Sequence, residues 1–198
     1  MKCLVVIAHP LEDSLCRALA RHAVDTLAAA GHEVTVEDLY ANGFEPAMTV
    51  AERRGYGAAK ADASAVAGEV ARLEAAEALV LVFPTWWFGL PAILKGWFDR
   101  VWLPGVAFDH ATATTPMKPR LTRLRKALAI TSLGSPWWVD LFVMRRPVMR
   151  VLKDGTLRGC APQCDFRMLS LHGAETVTEK QLAAFKSKIE GALSGWTA

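Results

Sequence analysis

Residues 78–101 read ALVLVFPTWWFGLPAILKGWFDRV. Ala78 to Phe83 is an unbroken apolar run, which predicts a short strand buried on both faces. Pro84 ends that strand, because proline has no N–H to give to a sheet ladder. Pro91 then fits the first turn of a helix, where its missing N–H costs nothing, and Pro91 to Val101 continue as that helix. A buried strand, an aromatic turn and a helix in direct succession predict one unit of a parallel sheet covered by helices.

The same alternation extends outward in both directions. Leu4 to Ala8 is a second apolar run, read as the central strand. After the loop His9 to Asp13, residues Ser14 to Ala30 read as a helix, with Leu15, Leu19, Ala23 and Leu27 on one face and Gly31 as the stop signal. Glu33 to Asp38 alternates as another strand. Tyr40 to Gly57 lacks a period, and its Gly43, Pro46, Gly55 and Gly57 predict an irregular excursion over the surface. Ala58 to Ala75 carries helical spacing, Ala127 to Thr131 reads as a strand, and Trp138 to Leu152 as a helix interrupted by Pro147. Phe166 to Leu171 gives the last strand and Thr178 to Leu193 a closing amphipathic helix. Five strands and five helices without linker or repeat predict a single α/β domain over residues 1–198, a three-layer doubly wound sandwich.

Composition excludes several classes. Hydrophobic residues make up 52% and charged residues 22% of the 198, a balance expected of a packed core and not of a disordered chain. A formal charge of +3 falls short of the basic patch that nucleic acid requires. The opening MKCLVVIAHP has too short an apolar run and no cleavage site for a signal peptide. No apolar stretch reaches the roughly 18 to 20 residues that span a bilayer, so no integral membrane segment is expected and the cytoplasm is the default location. Cys3 and Cys16 fall on a buried strand and a first helix, where reduced thiols are the simple expectation. Cys160 and Cys164, separated by three residues and with only His172 near, lack the ligand spacing of a metal site. Ser132 and Ser135 lack the G-x-S-x-G of a hydrolase elbow.

In an open α/β sheet the ligand binds beyond the carboxyl ends of the strands, where the strand order reverses. Three loops should meet there: His9 to Cys16, Pro84 to Leu90 and Ser132 to Trp138. The first brings Ser14, Leu15 and Cys16 to a helix N-terminus, whose free N–H groups suit a phosphate. It carries neither G-x-G-x-x-G nor a P-loop; Ser14 as a plain helix cap and His9 as a satisfied buried imidazole fit it equally. The second loop is more telling. Aromatics crowded at a sheet rim, where polar residues are the norm, suggest a stacking platform or a protein interface.

Those residues carry a family resemblance. Phe83 to Val101 resembles the corresponding segment of the NAD(P)H:quinone oxidoreductases of the DT-diaphorase and modulator of drug activity B type. AHPLEDSLC, from Ala8 to Cys16, is similar to that family's A-H-P-x-x-x-S-(F/L)-N, and GHEVTVEDLYANGFEP, from Gly31 to Pro46, is similar to its second strand and following loop. The resemblance covers about residues 1–135 and implies a flavodoxin-like fold with a five-stranded parallel sheet in the order 2-1-3-4-5. It also implies a flavin, FAD or FMN, with its phosphate on His9, Ser14, Leu15 and Cys16. The ring would lie against Pro84, Thr85, Trp86, Trp87 and Phe88, with Thr131, Ser132, Leu133 and Gly134 on its pyrimidine side. Phe108 and His110 match positions that line the substrate pocket, usually from the partner subunit of a homodimer. NADH or NADPH would deliver hydride to flavin N5 and a small quinone-like acceptor would then take its place, a ping-pong cycle.

The chain also departs from that pattern. Cys16 stands where Asn is usual, Leu133 where the family is often Gly-Gly, and no residues match the Tyr and His that assist hydride transfer in the animal enzymes, so the sequence assigns no catalytic acid or base. Ser135 to Leu152, SPWWVDLFVMRRPVMRVL, is open to reading as a lid, a cofactor-phosphate contact, a membrane-touching surface helix or an ordinary helix docked on the sheet. Trp97, Phe98, Trp102 and Leu103 fit either core or dimer interface. The rival to an independent enzyme is a regulatory flavoprotein partnered with a transporter.

Overall fold

The computed structural model describes residues 1–196. A five-stranded parallel sheet is built from β1 (Lys2–Ile7), β2 (Glu33–Asp38), β3 (Ala78–Pro84), β4 (Lys126–Leu133) and β5 (Asp165–His172), in the order β2-β1-β3-β4-β5. The flavodoxin-like fold and its strand order are therefore as the resemblance implied. The middle strand is β3, not β1 as the apolar run alone suggested. β3 is buried along its whole length, while β1 loses cover at Lys2.

Helices cover both faces because the strands alternate two apolar sides. α1 (Leu15–Ala29) and the C-terminal helix (Glu179–Leu193) pack Leu19, Leu27, Phe185 and Ile189 against Val5, Val80 and Ile130. On the opposite face α3 (Ala67–Ala75) and α4 (Ala92–Val101) set Leu73, Leu94 and Trp97 against Leu4, Leu79 and Phe83. Trp97, Trp102 and Leu103 are buried in that second core, which resolves them as core; Phe98 is half-buried beside them. Glu37, buried at the end of β2, takes the Trp97 indole N–H at 2.7 Å and Arg72 Nε at 2.9 Å, so the carboxylate enters the core fully partnered.

Several sequence expectations are corrected. The excursion after β2 contains a short helix, α2 (Val50–Gly55), opened by a capping box in which Thr49 and Glu52 satisfy each other's backbone N–H groups. It shows no apolar period because none of its residues is buried. The helix expected from Ala58 shrinks to a 3₁₀ turn at Ser64–Val66 and α3, since Ala61 enters the core with its N–H bonded to the Pro104 carbonyl and not to a preceding helical turn. A small antiparallel ribbon, Phe108–Asp109 with Lys118–Pro119, was not expected at all. The helix read over Trp138 to Leu152 is broken before Pro147. A wide π-type turn, Val139–Val143, ends where Arg145 and Arg146 both adopt left-handed backbone, and the chain resumes at Pro147–Arg150 and Val151–Leu157. Among the described residues no helix is long and apolar enough to cross a membrane.

Candidate functional site

The carboxyl ends of β1, β3 and β4 bring three loops to one rim. After β1, His9 accepts the Leu11 N–H at Nδ1 over 3.1 Å, so the half-buried imidazole shapes the loop and is not sealed in the core. Ser14 caps α1, its hydroxyl accepting from Arg17 N–H at 3.3 Å. The N–H groups of Leu15 and Cys16 are then left in the first turn without intrahelical partners, as at any helix start. The Cys16 thiol faces the opposite way, into the core, where burial pushes its pKa up to about 12. Only its backbone is offered to a ligand.

After β3, Trp86 and Gly89 exchange backbone hydrogen bonds at 3.2 and 2.9 Å across a tight turn whose central residues are Trp87 (φ 50°) and Phe88 (φ 54°). Two positive φ angles in succession are the pattern of a turn that ordinarily takes Asn or Gly, because a Cβ in this region costs roughly 1–2 kcal/mol per residue. The strain presents surface to solvent: Trp87 is 100% exposed and Trp86 43%. The Trp86 ring lies 6.1 Å from that of His9, which joins the first loop to the second.

The third loop is tied to the second through Thr131, whose hydroxyl bonds that of Thr85 at 2.8 Å, and through the Ser132 carbonyl, which accepts the Thr85 N–H at 2.8 Å. Between them opens a cleft of about 460 Å³, walled on one side by Thr85, Trp87 and Phe88 and on the other by Leu133, Gly134 and Ser135, with Glu175 at its edge. Its volume lies within the roughly 300–1,000 Å³ common for small-molecule sites. The Ser135 hydroxyl is buried and has no partner, a polar atom left for something the cleft would hold. Phe88 also walls a second, apolar groove of about 260 Å³ reaching Leu90, Pro147, Val148 and Val151.

Of the residues named from sequence, His9 and Trp86 meet at the rim, Ser14 caps α1 from the loop that carries His9, and Thr85, Trp87, Phe88, Leu133 and Gly134 line the cleft. Pro84 and Ser132 pair in register beneath it. Phe108 and His110 do not join it. They sit together, ring centroids 5.4 Å apart, with His110 bonded to the Tyr56 carbonyl at 3.0 Å.

A pair that sequence reasoning missed stands beside the cleft. His172 lies opposite Leu133 in the parallel register, so the two side chains share a sheet face, and Gly173 N–H donates to the Ser135 carbonyl. His172 Nε2 meets Asp140 Oδ2 at 3.1 Å, and Asp140 is buried in an otherwise solvent-facing apolar turn. No local signal could have paired residues 32 positions apart.

A family profile described as flavodoxin-like fold matches residues 1–193. The NAD(P)H dehydrogenase (quinone) 1 of Cavia porcellus is 31% identical over 211 residues, covering 96% of this chain and 76% of its own. The ribosyldihydronicotinamide dehydrogenase (quinone) of Pongo abelii is 39% identical over 192 residues, covering 83% and 81%. Among solved structures, the NAD(P)H:quinone oxidoreductase from Methanothermobacter marburgensis superposes with a TM-score of 0.83 at 27% identity over 98% of this chain and 95% of that one. Fold, strand order and likeness along nearly the whole length agree: the chain belongs to the flavodoxin-like NAD(P)H:quinone oxidoreductase family of enzymes.

Proposed function

We propose that the protein is a flavin-dependent NAD(P)H oxidoreductase that reduces quinones or similar acceptors by two electrons, working as a homodimer in the cytoplasm. The observation that carries this reading is the strained Trp86–Gly89 turn, which holds a fully exposed Trp87 against the cleft. An exposed indole at a backbone penalty is hard to explain as packing and simple to explain as a wall for a flat ligand.

The residues present fit a flavin. The first-turn N–H groups of Leu15 and Cys16, with His9 and Ser14 beside them, would hold its phosphate at the positive end of α1. Pro84 to Phe88 would flank the ring on one side and Thr131 to Gly134 on the other, and the partnerless Ser135 hydroxyl offers a hydrogen bond within the cleft. When bound, the flavin supplies the hydride-carrying chemistry between NAD(P)H and the acceptor. The protein would orient both partners in turn over one face and stabilise negative charge through backbone dipoles.

Reducing a quinone takes a hydride and a proton, and the proton is the protein's to manage. His172, held at Nε2 by the buried Asp140, is the group we assign to it. Phe108 and His110, remote from the cleft of their own chain, would reach the cleft of the partner subunit. One experiment tests the reading: purify the protein, identify any bound flavin by mass, and follow NADH- or NADPH-driven quinone reduction. Bound flavin with steady turnover supports it. Bound flavin without turnover would favour a regulatory flavoprotein, and a colourless protein that does not take up added flavin would overturn the site.

A further inference from the structure

The segment between the cleft and β5 carries an apolar surface that neither the core nor the proposed flavin site uses. Trp137, Trp138, Phe142 and Val143 are 56%, 50%, 67% and 61% exposed. They are not a frayed strand of chain: Val148, Leu152 and Leu157, just beyond them, are anchored in the core over the sheet. Arg145 and Arg146, both in left-handed backbone, turn the chain between those anchors and the apolar tip. The knob is a rooted projection with bulky side chains outward.

Its charges are one-sided. Arg145, Arg146, Arg150 and Lys153 follow the tip within a few residues, and among the described residues none of them forms an ion pair. Of the two carboxylates in the same stretch, Asp140 is buried on His172 and only Asp154 is exposed. Exposed tryptophan and phenylalanine beside unpaired arginine and lysine is the chemistry of a membrane–water interface: the rings enter the headgroup boundary while the cations meet anionic lipid. A second copy of the chain suits the knob less well. A two-fold contact centred on the knob would bring Arg145 and Arg146 toward their own mates and desolvate like charges.

We propose that the Trp137–Lys153 knob docks the protein on an anionic bilayer surface. The apolar groove of Phe88, Leu90, Pro147, Val148 and Val151 runs from this knob to the cleft wall. On the reading that the cleft is a quinone reductase site, that groove would accept the hydrocarbon tail of a lipid-dissolved quinone.

The purified protein is mixed with phosphatidylcholine vesicles, with or without phosphatidylglycerol, and sedimented. It is expected to pellet with the anionic vesicles about tenfold more strongly than with the neutral ones, less so at high salt, with a blue shift of tryptophan emission. Phe142→Glu, and Arg145→Glu combined with Arg146→Glu, change only exposed or half-buried side chains. Each is expected to weaken pelleting about tenfold or more with flavin content and solution mass unchanged. Equal or absent pelleting on the two vesicle types overturns the proposal. So does a Phe142→Glu variant that splits an oligomer and leaves vesicle binding as it was, which would assign the knob to a second copy. Vesicle binding by a protein that takes up no flavin would leave the docking surface standing and remove only the redox reading.

Discussion

Trp87 is held in a backbone conformation that its own side chain disfavours, and its indole has no partner in the chain. Stability and ligand binding should therefore respond to it with opposite signs. Trp87→Asn is expected to leave the flavin-free melting temperature unchanged or higher, because Asn tolerates the left-handed region, and to weaken flavin retention by about tenfold as stacking surface is lost. Fluorescence titration with FMN and FAD measures the second effect; a lowered melting temperature with unchanged affinity would make Trp87 a packing residue. His172 divides differently. His172→Gln is expected to cut kcat for quinone reduction about 100-fold, a usual size for a lost proton donor, with flavin retention and KM for NAD(P)H near wild type. Unaltered kcat would remove His172 from the mechanism. Trp87 was visible in the sequence because its neighbours crowd a loop with aromatics. His172 was not, because its meaning comes from Asp140, which a separate element delivers.

Elements differ in how tightly neighbours constrain them, and two glycines show it. Gly96 lies on the face of α4 that the chain crosses at Pro46: an added Cβ would stand 2.3 Å from the Pro46 carbonyl oxygen. The crossing is clamped by Arg100, which bonds Glu52 and the Glu45 carbonyl. Gly96→Ala is therefore expected to destabilise by about 1–3 kcal/mol, read as a fall of several degrees in melting temperature. Gly191, inside the C-terminal helix, has nothing within 4 Å of the same added atom, so Gly191→Ala is expected to stabilise by about 0.5–1 kcal/mol. If both variants melt alike, the close approach at Pro46 is wrong. Strands and long helices were legible because their apolar periods face a core. α2 was not: its start is set by the Thr49–Glu52 cap, and none of its residues is buried. The helix that Trp138 to Leu152 suggests, interrupted at Pro147, is instead broken ahead of the proline by two left-handed arginines, which no periodicity announces.

Across the whole molecule, burial governs the thiols. All four cysteines are free, and burial pushes Cys3 and Cys160 up to about 11 and Cys16 and Cys164 up to about 12. In the unfolded chain a thiol ionises near about 8.5. The stabilisation that these groups contribute is therefore complete below that pH and is lost as pH rises toward their folded values. The melting temperature is expected to fall steadily above about pH 8.5, and the native protein to resist thiol reagents at neutral pH until denaturant is added; rapid labelling of the folded chain would contradict the burial. By itself the sequence determined the parallel α/β sheet, its strand order through a family resemblance, and the loops that meet at its rim. The sheet and its rim loops follow from apolar periodicity and chain order, which are local, whereas the strand order rests on the resemblance alone. Only the tertiary structure decided that Trp87 stands in solvent, that His172 meets Asp140, that Phe108 and His110 lie away from their own cleft, and that an apolar, cationic knob projects beside it. Each of these depends on which distant segments are brought within a few ångströms, and no window of sequence contains that information.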